Sequence, residues 1–303
     1  MEKEFYPIDL HTHSNWTDGS CSPSEIAERA KRKGITHIAL SDCMNLGGFD
    51  KFQEACLKLE IVSIPAIEIL TFYDTDEVEL LLYGNGIFDN QMKILIDESN
   101  HAAEVLVCMY MGFLRSNGFI VSEKDIDTYF NLPKKRTKCL YYVNEYLRRK
   151  NNIPQSVIGS FIREARLRHI DRADIYQTTL PRVQDVLHIA KKLNVISCYT
   201  YPGVAALRRS RFRKTDYITE VDLILRESLL LKSMGLDGIE ARYPEHITDT
   251  EDVFLAHAQK NNLLIIGGSG FHGDGEGEHK PGLSLGCKGM NQSEFDTFEK
   301  KLH

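Results

Sequence analysis

Several things that would sort this chain quickly are missing from it. No two of its seven cysteines (Cys21, Cys43, Cys56, Cys108, Cys139, Cys198 and Cys287) stand in C-x-x-C spacing, and their number is odd. That argues against a zinc ribbon and against a disulfide framework, and reads as reduced intracellular thiols. An N-terminal secretory pattern is missing too, so the expected location is cytoplasmic. No apolar run approaches the roughly 20 residues of a membrane span; the best, Leu263 to Ile266, reads as a strand. Basic charge is not in excess, since 37 Lys and Arg face 43 Asp and Glu for a net charge of -6. Double-stranded nucleic acid selects a basic face, so neither it nor a membrane is an expected partner. A small anion held by a few local cations stays compatible with that balance. What is present is an ordinary globular composition, 42% hydrophobic and 26% charged. It can bury a real core, as one large α/β barrel or as two smaller domains.

The pattern of elements favours the barrel. Phe5 to Leu10 reads as a strand running into His11 and His13. Ser22-Pro23-Ser24-Glu25 is a capping box with proline at the first helical position, and Gly34 ends the helix it opens. Strands follow at Thr36 to Leu40, within Ile61 to Leu70, and at Val78 to Tyr83, with a helix at Phe52 to Lys58. From about Gln91 to Arg168 the periodicity is helical throughout. Alternation then returns: helix Leu180 to Leu193, strand Val195 to Tyr199, helix Thr219 to Met234, strand Gly238 to Ala241, helix Thr248 to Lys260, strand Leu263 to Gly267, and a glycine-rich loop to Gly286. Strands alternating with helices predict a parallel sheet. About seven strands, with polar residues gathered just past their ends, predict a barrel whose site lies at the C-terminal face. Residues 1–92 and 180–303 would form it, and 93–179 a helical insertion over its mouth.

His11 and His13 share one side of an extended strand end, because side chains at i and i+2 share a face. Two imidazoles so placed suit one borderline transition metal. Asp18 lies in the short turn Trp16-Thr17-Asp18-Gly19-Ser20, where the chain can fold back to offer a carboxylate. Glu68 ends a strand, and Glu79 interrupts the apolar run Val78 to Leu82, so its carboxylate needs solvent, a cation or a metal. His272 follows Gly267-Gly268-Ser269-Gly270-Phe271. His246, just past a strand end, is a second candidate catalytic imidazole. Arg208, Arg209, Arg211 and Arg213 follow Tyr201-Pro202-Gly203 in what reads as a basic loop; Arg208 and Arg209, with Arg242, are candidate phosphate-binding cations.

These stretches resemble the PHP (polymerase and histidinol phosphatase) superfamily, in particular its stand-alone phosphoesterases. The resemblance rests on Ile8-Asp9-Leu10-His11-Thr12-His13-Ser14, Asp18-Gly19-Ser20, Ile38-Ala39-Leu40-Ser41-Asp42, Ile64-Pro65-Ala66-Ile67-Glu68, Gly235-Leu236-Asp237-Gly238-Ile239-Glu240, Tyr243-Pro244-Glu245-His246 and Gly267-Gly268-Ser269-Gly270-Phe271-His272-Gly273. It implies a distorted (β/α)7-type barrel with one or two divalent ions (Mn, Zn, Fe or Mg) at its C-terminal face. His11, His13, Asp18, Glu68 and His272 keep the residue type expected of ligands. Four positions depart from the family pattern. Cys43 replaces the histidine of Thr-Asp-His, Tyr201 that of His-Pro, and Gly270 the aspartate of Ser-Asp-x-His, while Glu79 stands for a histidine. Cys43 as thiolate and Glu79 could still ligate; a phenol with pKa near 10 and a glycine offer little. The resemblance implies a hydrolase for a small phosphate ester such as a nucleotide, an oligonucleotide or a phosphometabolite. The departures leave open a catalytically impaired protein that binds such a molecule as a regulator.

Overall fold

The computed structural model describes residues 5–167, 179–247, 250–273 and 283–302. Seven strands form one sheet in sequence order: β1 (Ile8–Asp9), β2 (His37–Leu40), β3 (Val62–Tyr73), β4 (Asp76–Tyr83), β5 (Ile196–Tyr199), β6 (Gly238–Arg242) and β7 (Leu264–Gly267). The sheet curls into a nearly closed barrel. Past the end of β7, Gly270 N–H donates to His11 O at 2.9 Å and His13 N–H to Phe271 O at 2.8 Å, joining the last strand's loop to the first strand's end.

The parallel sheet expected from alternation needs one correction. β4 runs antiparallel to both β3 and β5. Only Asp74 and Thr75 separate β3 from β4, too few for the crossover a parallel neighbour requires, and Asp74 turns the chain at φ 53°. The reversal puts the start of β4 at the barrel mouth. Leu81 and Tyr83 pack in the interior and Leu80 and Leu82 pack outward, so Glu79 has the interior parity and lies near the mouth. The same alternation turns Ala66 and Glu68 inward from β3.

Helices α1 (Pro23–Lys33) and α2 (Phe49–Lys58) cover one side. The capping box at Ser22 and Glu25 forms with both of its bonds, and Gly34 closes α1 at φ 82°. Next come α3 (Asn90–Ser116), α4 (Glu123–Phe130), α5 (Leu140–Arg149) and α6 (Gln155–Leu167). The first half of α3 packs in the barrel's outer core through Met92, Ile96, Ala102 and Leu106. From Val107 onward it belongs to a separate apolar cluster with α4, α5 and α6. The rest of the expected insertion, 168–178, lies outside the described residues, as do 274–282 of the glycine-rich loop and 248–249 of the helix expected from Thr248.

The remaining helices are α7 (Val183–Lys192), α8 (Pro202–Arg213), α9 (Tyr217–Met234), α10 (Thr250–Lys260) and α11 (Gln292–Leu302). α7 starts three residues later than periodicity predicts, because Pro181 O accepts from Phe72 N–H and holds that stretch against β3. The basic stretch after Tyr201 is not a loop but α8, with Pro202 at its first turn and Ala205, Ala206 and Leu207 favouring helix. Phe298 of α11 meets Tyr83 edge-on at 5.3 Å and, with Phe295, fills the barrel interior beneath the site. All seven cysteines are free. Among the described residues no helix is long and apolar enough to cross a membrane.

Candidate metal centre

Three backbone segments are pinned together to make the site. The buried Asp9 carboxylate accepts from the N–H groups of Ser269 (2.9 Å), Gly286 (3.0 Å) and His11 (3.4 Å), tying the loop after β7 to β1. Asp42 accepts from Ser14 N–H (2.7 Å), Ser14 Oγ (2.5 Å) and Thr17 Oγ1 (2.8 Å), fixing the turn that carries Asp18. Burial pushes Asp42 up to about 6 against those three donors. Gly268 is required by close approach, since a Cβ there would meet His11 Cβ at 2.3 Å.

Onto that frame the imidazoles converge. His11 Nε2 lies 2.9 Å from His13 Nε2, and Glu68 reaches both, at 3.8 and 3.7 Å. His11, His13 and Glu68 form one potential donor group; His13, Asp18 and Cys43 form another that shares His13. His272 Nε2 sits 3.3 Å from Asp18 Oδ2, and its ring stacks on His13 at 4.3 Å.

The hydrogen bonds on the far side of two rings decide their tautomers. His11 Nδ1 donates to Glu240 Oε1 at 2.8 Å, and His272 Nδ1 donates to Gly270 O at 2.5 Å. A carboxylate and a carbonyl only accept, so each Nδ1 carries a proton, and in the neutral ring Nε2 then carries the lone pair. An outer carboxylate on a ligand imidazole is the usual support of a metal-binding histidine. Two imidazole nitrogens and a carboxylate, packed this closely and almost free of solvent, fit a divalent transition metal.

Residues 9–187 match the PHP domain. The chain belongs to that family. A 66-residue stretch of this PHP-domain protein is 36% identical to a 5'-3' exoribonuclease of Haemophilus influenzae, spanning 22% of this chain and 24% of that protein. Along 97% of its length the fold is similar to that of a protein from Bifidobacterium adolescentis designated a metal-dependent phosphoesterase, of which 96% is covered (TM-score 0.77, 18% identity). It is also similar to an amidohydrolase of Chromobacterium violaceum, solved with bound sulfate and no metal, over 97% of this chain and 96% of that one (TM-score 0.74, 18% identity).

The substituted positions have distinct surroundings. Cys43 Sγ donates to Glu68 Oε2 at 2.7 Å, and burial together with Glu68 and Asp18 pushes its thiol well up, which favours thiol over thiolate. Glu79 belongs to neither donor group; it is paired with Arg208, whose guanidinium lies over the Tyr201 ring at 5.3 Å. Tyr201 and Tyr243 pack against each other at 5.1 Å and against His11 at 5.8 and 5.6 Å. Gly270 holds φ 57°, and a Cβ on it would lie 2.5 Å from Tyr243 Oη. Gly270→Asp is therefore expected to destabilise the fold by at least about 1–3 kcal/mol through overpacking, with part recovered by adding Tyr243→Val. Urea unfolding of the single and double variants checks this; a wild-type midpoint for Gly270→Asp alone would refute the constraint.

Three expected site residues are placed elsewhere. Arg209 turns from the mouth to pair with Glu227 and Tyr199 Oη. Arg242 pairs with Glu294 of α11 at 2.5 Å. His246 packs against Phe254 and Tyr243, with Nδ1 facing Ala241 O at 3.2 Å and Nε2 buried with no hydrogen-bond partner. Burial lowers His246 to about 3. The unfolded chain takes up a proton near pH 6.5 that the folded chain refuses. The stability this gives is intact above pH 6.5 and lost as pH falls toward 3, by at most about 1.4 kcal/mol per pH unit. His246→Leu should remove that slope in urea unfolding at pH 7, 6 and 5 with chelator present. Parallel pH profiles for the two proteins would contradict it.

Sequence reasoning gave no role to Glu240, Asp9, Asp42 or Tyr243. Glu240 had a signal, a lone carboxylate in the apolar strand Gly238-Ile239-Glu240-Ala241. Tyr243 opened the matching stretch Tyr243-Pro244-Glu245-His246 but had no role there, since its role comes from contact with Tyr201 and Gly270, 42 and 27 residues away.

Proposed function

We propose that this PHP-domain protein is a metal-dependent hydrolase of small phosphate esters, working in the reducing cytoplasm where seven free thiols persist. The observation that carries the reading is the convergence of His11, His13 and Glu68, with the His11 tautomer fixed by Glu240 so that Nε2 faces the site. A divalent ion held there, with Asp18 and His272 alongside, would supply Lewis-acid polarisation of a phosphoryl oxygen and activation of water. The chain's own groups do the rest. Arg208, half-exposed at the cavity wall, binds and orients a phosphoryl oxygen. His272, hydrogen-bonded through Nδ1 to Gly270 O, holds or moves a proton at Nε2. The Tyr201–Tyr243 pair excludes water behind His11, where both rings are buried.

Protein purified without chelator and offered Mn2+ and Zn2+ should hold at least one equivalent of metal. It should then release phosphate from some member of a panel of nucleotides and sugar phosphates. No bound metal under those conditions would sink the proposal. A second reading, binding without turnover, is favoured by the aromatic wall and by the Cys43 thiol, which donates to Glu68. A filled metal site with saturable ligand binding and no phosphate release on any substrate would select it.

A further inference from the structure

The donor cluster opens into a cavity of about 380 Å³ whose far side is of a different character. His13, Asp18, Glu68, Glu79 and His272 form its floor. Beside them is Leu70 of β3, the register partner of Glu79, and the lining continues through Leu106 and Val107 of α3, Leu140 of α5 and Ile162 of α6. On α3 the lining positions are Ala103, Leu106, Val107 and Tyr110, spaced i, i+3, i+4 and i+7, so one face of the helix looks into the cavity. The barrel's outer core ends on this helix at Leu106 and the insertion's own core begins at Val107. The apolar wall is thus the seam between the two.

Among the described residues that line the cavity, cations are few and already engaged. Of the described residues lining it, only Lys138 and Arg208 carry fixed positive charge. Lys138 pairs with Glu104 at 3.3 Å and Glu123 at 3.0 Å, and Arg208 with Glu79. A polynucleotide carries a charge at every linkage and is normally tracked by a row of cations. The cavity is also near the small end of the roughly 300–1,000 Å³ of small-molecule sites. Among the described lining residues, the group esterified to a phosphoryl on the floor meets the wall of Leu106, Val107 and Ile162.

We infer that the ligand is a compact phosphate monoester whose ester group is apolar or aromatic, with its phosphoryl group at the His–carboxylate floor and Arg208, and its ester group on the seam between barrel and insertion. This rests on the phosphoesterase reading and narrows it, setting the polynucleotide substrates of an exoribonuclease aside.

The test uses the full chain loaded with Mn2+ and three probes that need no turnover, phenylphosphonate, methylphosphonate and a trinucleotide, titrated by calorimetry. Phenylphosphonate should bind at least tenfold more tightly than methylphosphonate. Ile162→Gln and, separately, the nearly isosteric Val107→Thr should each shrink that ratio while leaving metal content and methylphosphonate affinity unchanged. Val107→Thr keeps the test alive if Ile162→Gln fails to fold. Equal affinities for the two phosphonates, tighter binding of the trinucleotide, or a ratio unmoved in both variants would overturn the inference and leave the phosphoesterase reading standing. Failure of the metal-loaded protein to bind either phosphonate would overturn both.

Discussion

A His13→Ala protein is expected to purify without its divalent ion and to lose all measurable hydrolysis. His13 is the donor common to both candidate groups, with Nε2 2.9 Å from His11 Nε2 and Nδ1 3.8 Å from Cys43 Sγ and 4.0 Å from Asp18 Oδ1. Removing it leaves each group with two members. Changes to residues that only support a metal ligand typically lower affinity about 10–100-fold, and loss of a shared ligand should exceed that. The fold should tolerate the change. The His13 backbone keeps its bond to Phe271 O, and the side chain stands on a polar floor rather than in the apolar core. Metal analysis after dialysis, with circular dichroism as the check on folding, reads the result. One equivalent of metal retained by folded His13→Ala would show that the donors are elsewhere.

The parts of this centre that were legible in the sequence are those set by local geometry. His11 and His13 share a face because the chain is extended, and Asp18 sits on a turn that Ser14 and Gly19 close by a backbone bond of 2.9 Å. The capping box at Ser22 is complete within four residues. What was not legible depends on partners distant in the chain. The direction of β4 turns on a two-residue link with no glycine in it, so alternation alone gave the wrong sense. The arginines after Tyr201 looked equivalent, yet successive helical positions differ by about 100°, which sends Arg208 to the mouth and Arg209 to Glu227.

The substituted ligand positions show the same limit. Tyr201 and Gly270 each read in sequence as a lost donor. In the fold they belong to one arrangement with Tyr243, whose ring fills the space a side chain at 270 would need and packs against Tyr201. The two tyrosine rings make an aromatic wall on His11. Next to that wall, the Arg208 guanidinium lies over the Tyr201 ring and pairs with Glu79. Within these arrangements His11, His13 and Glu68 stay buried.

Glu240→Gln then tests how much of the remaining site depends on a residue that touches no ligand. Glu240 is fully buried, accepts from His11 Nδ1 at 2.8 Å through Oε1, and accepts from Tyr201 N–H at 2.9 Å through Oε2. A carboxylate serves both donors; an amide serves one. If the amide oxygen keeps His11, the amide NH2 faces Tyr201 N–H, donor against donor, at a residue already held at φ 27°. If the oxygen keeps Tyr201, the NH2 faces His11 Nδ1, the ring proton moves to Nε2, and the lone pair that faced the site is gone. Either outcome weakens His11 as a ligand, and metal affinity should fall about 10–100-fold, or about 1.4–2.7 kcal/mol. Titration against a competing chelator measures it, and activity should return at correspondingly higher metal concentration. Unchanged affinity in a folded Glu240→Gln protein would mean that His11 is oriented by packing on Tyr201 and Tyr243 alone. In that case the aromatic wall, not the carboxylate, would be what keeps this half of the centre in place.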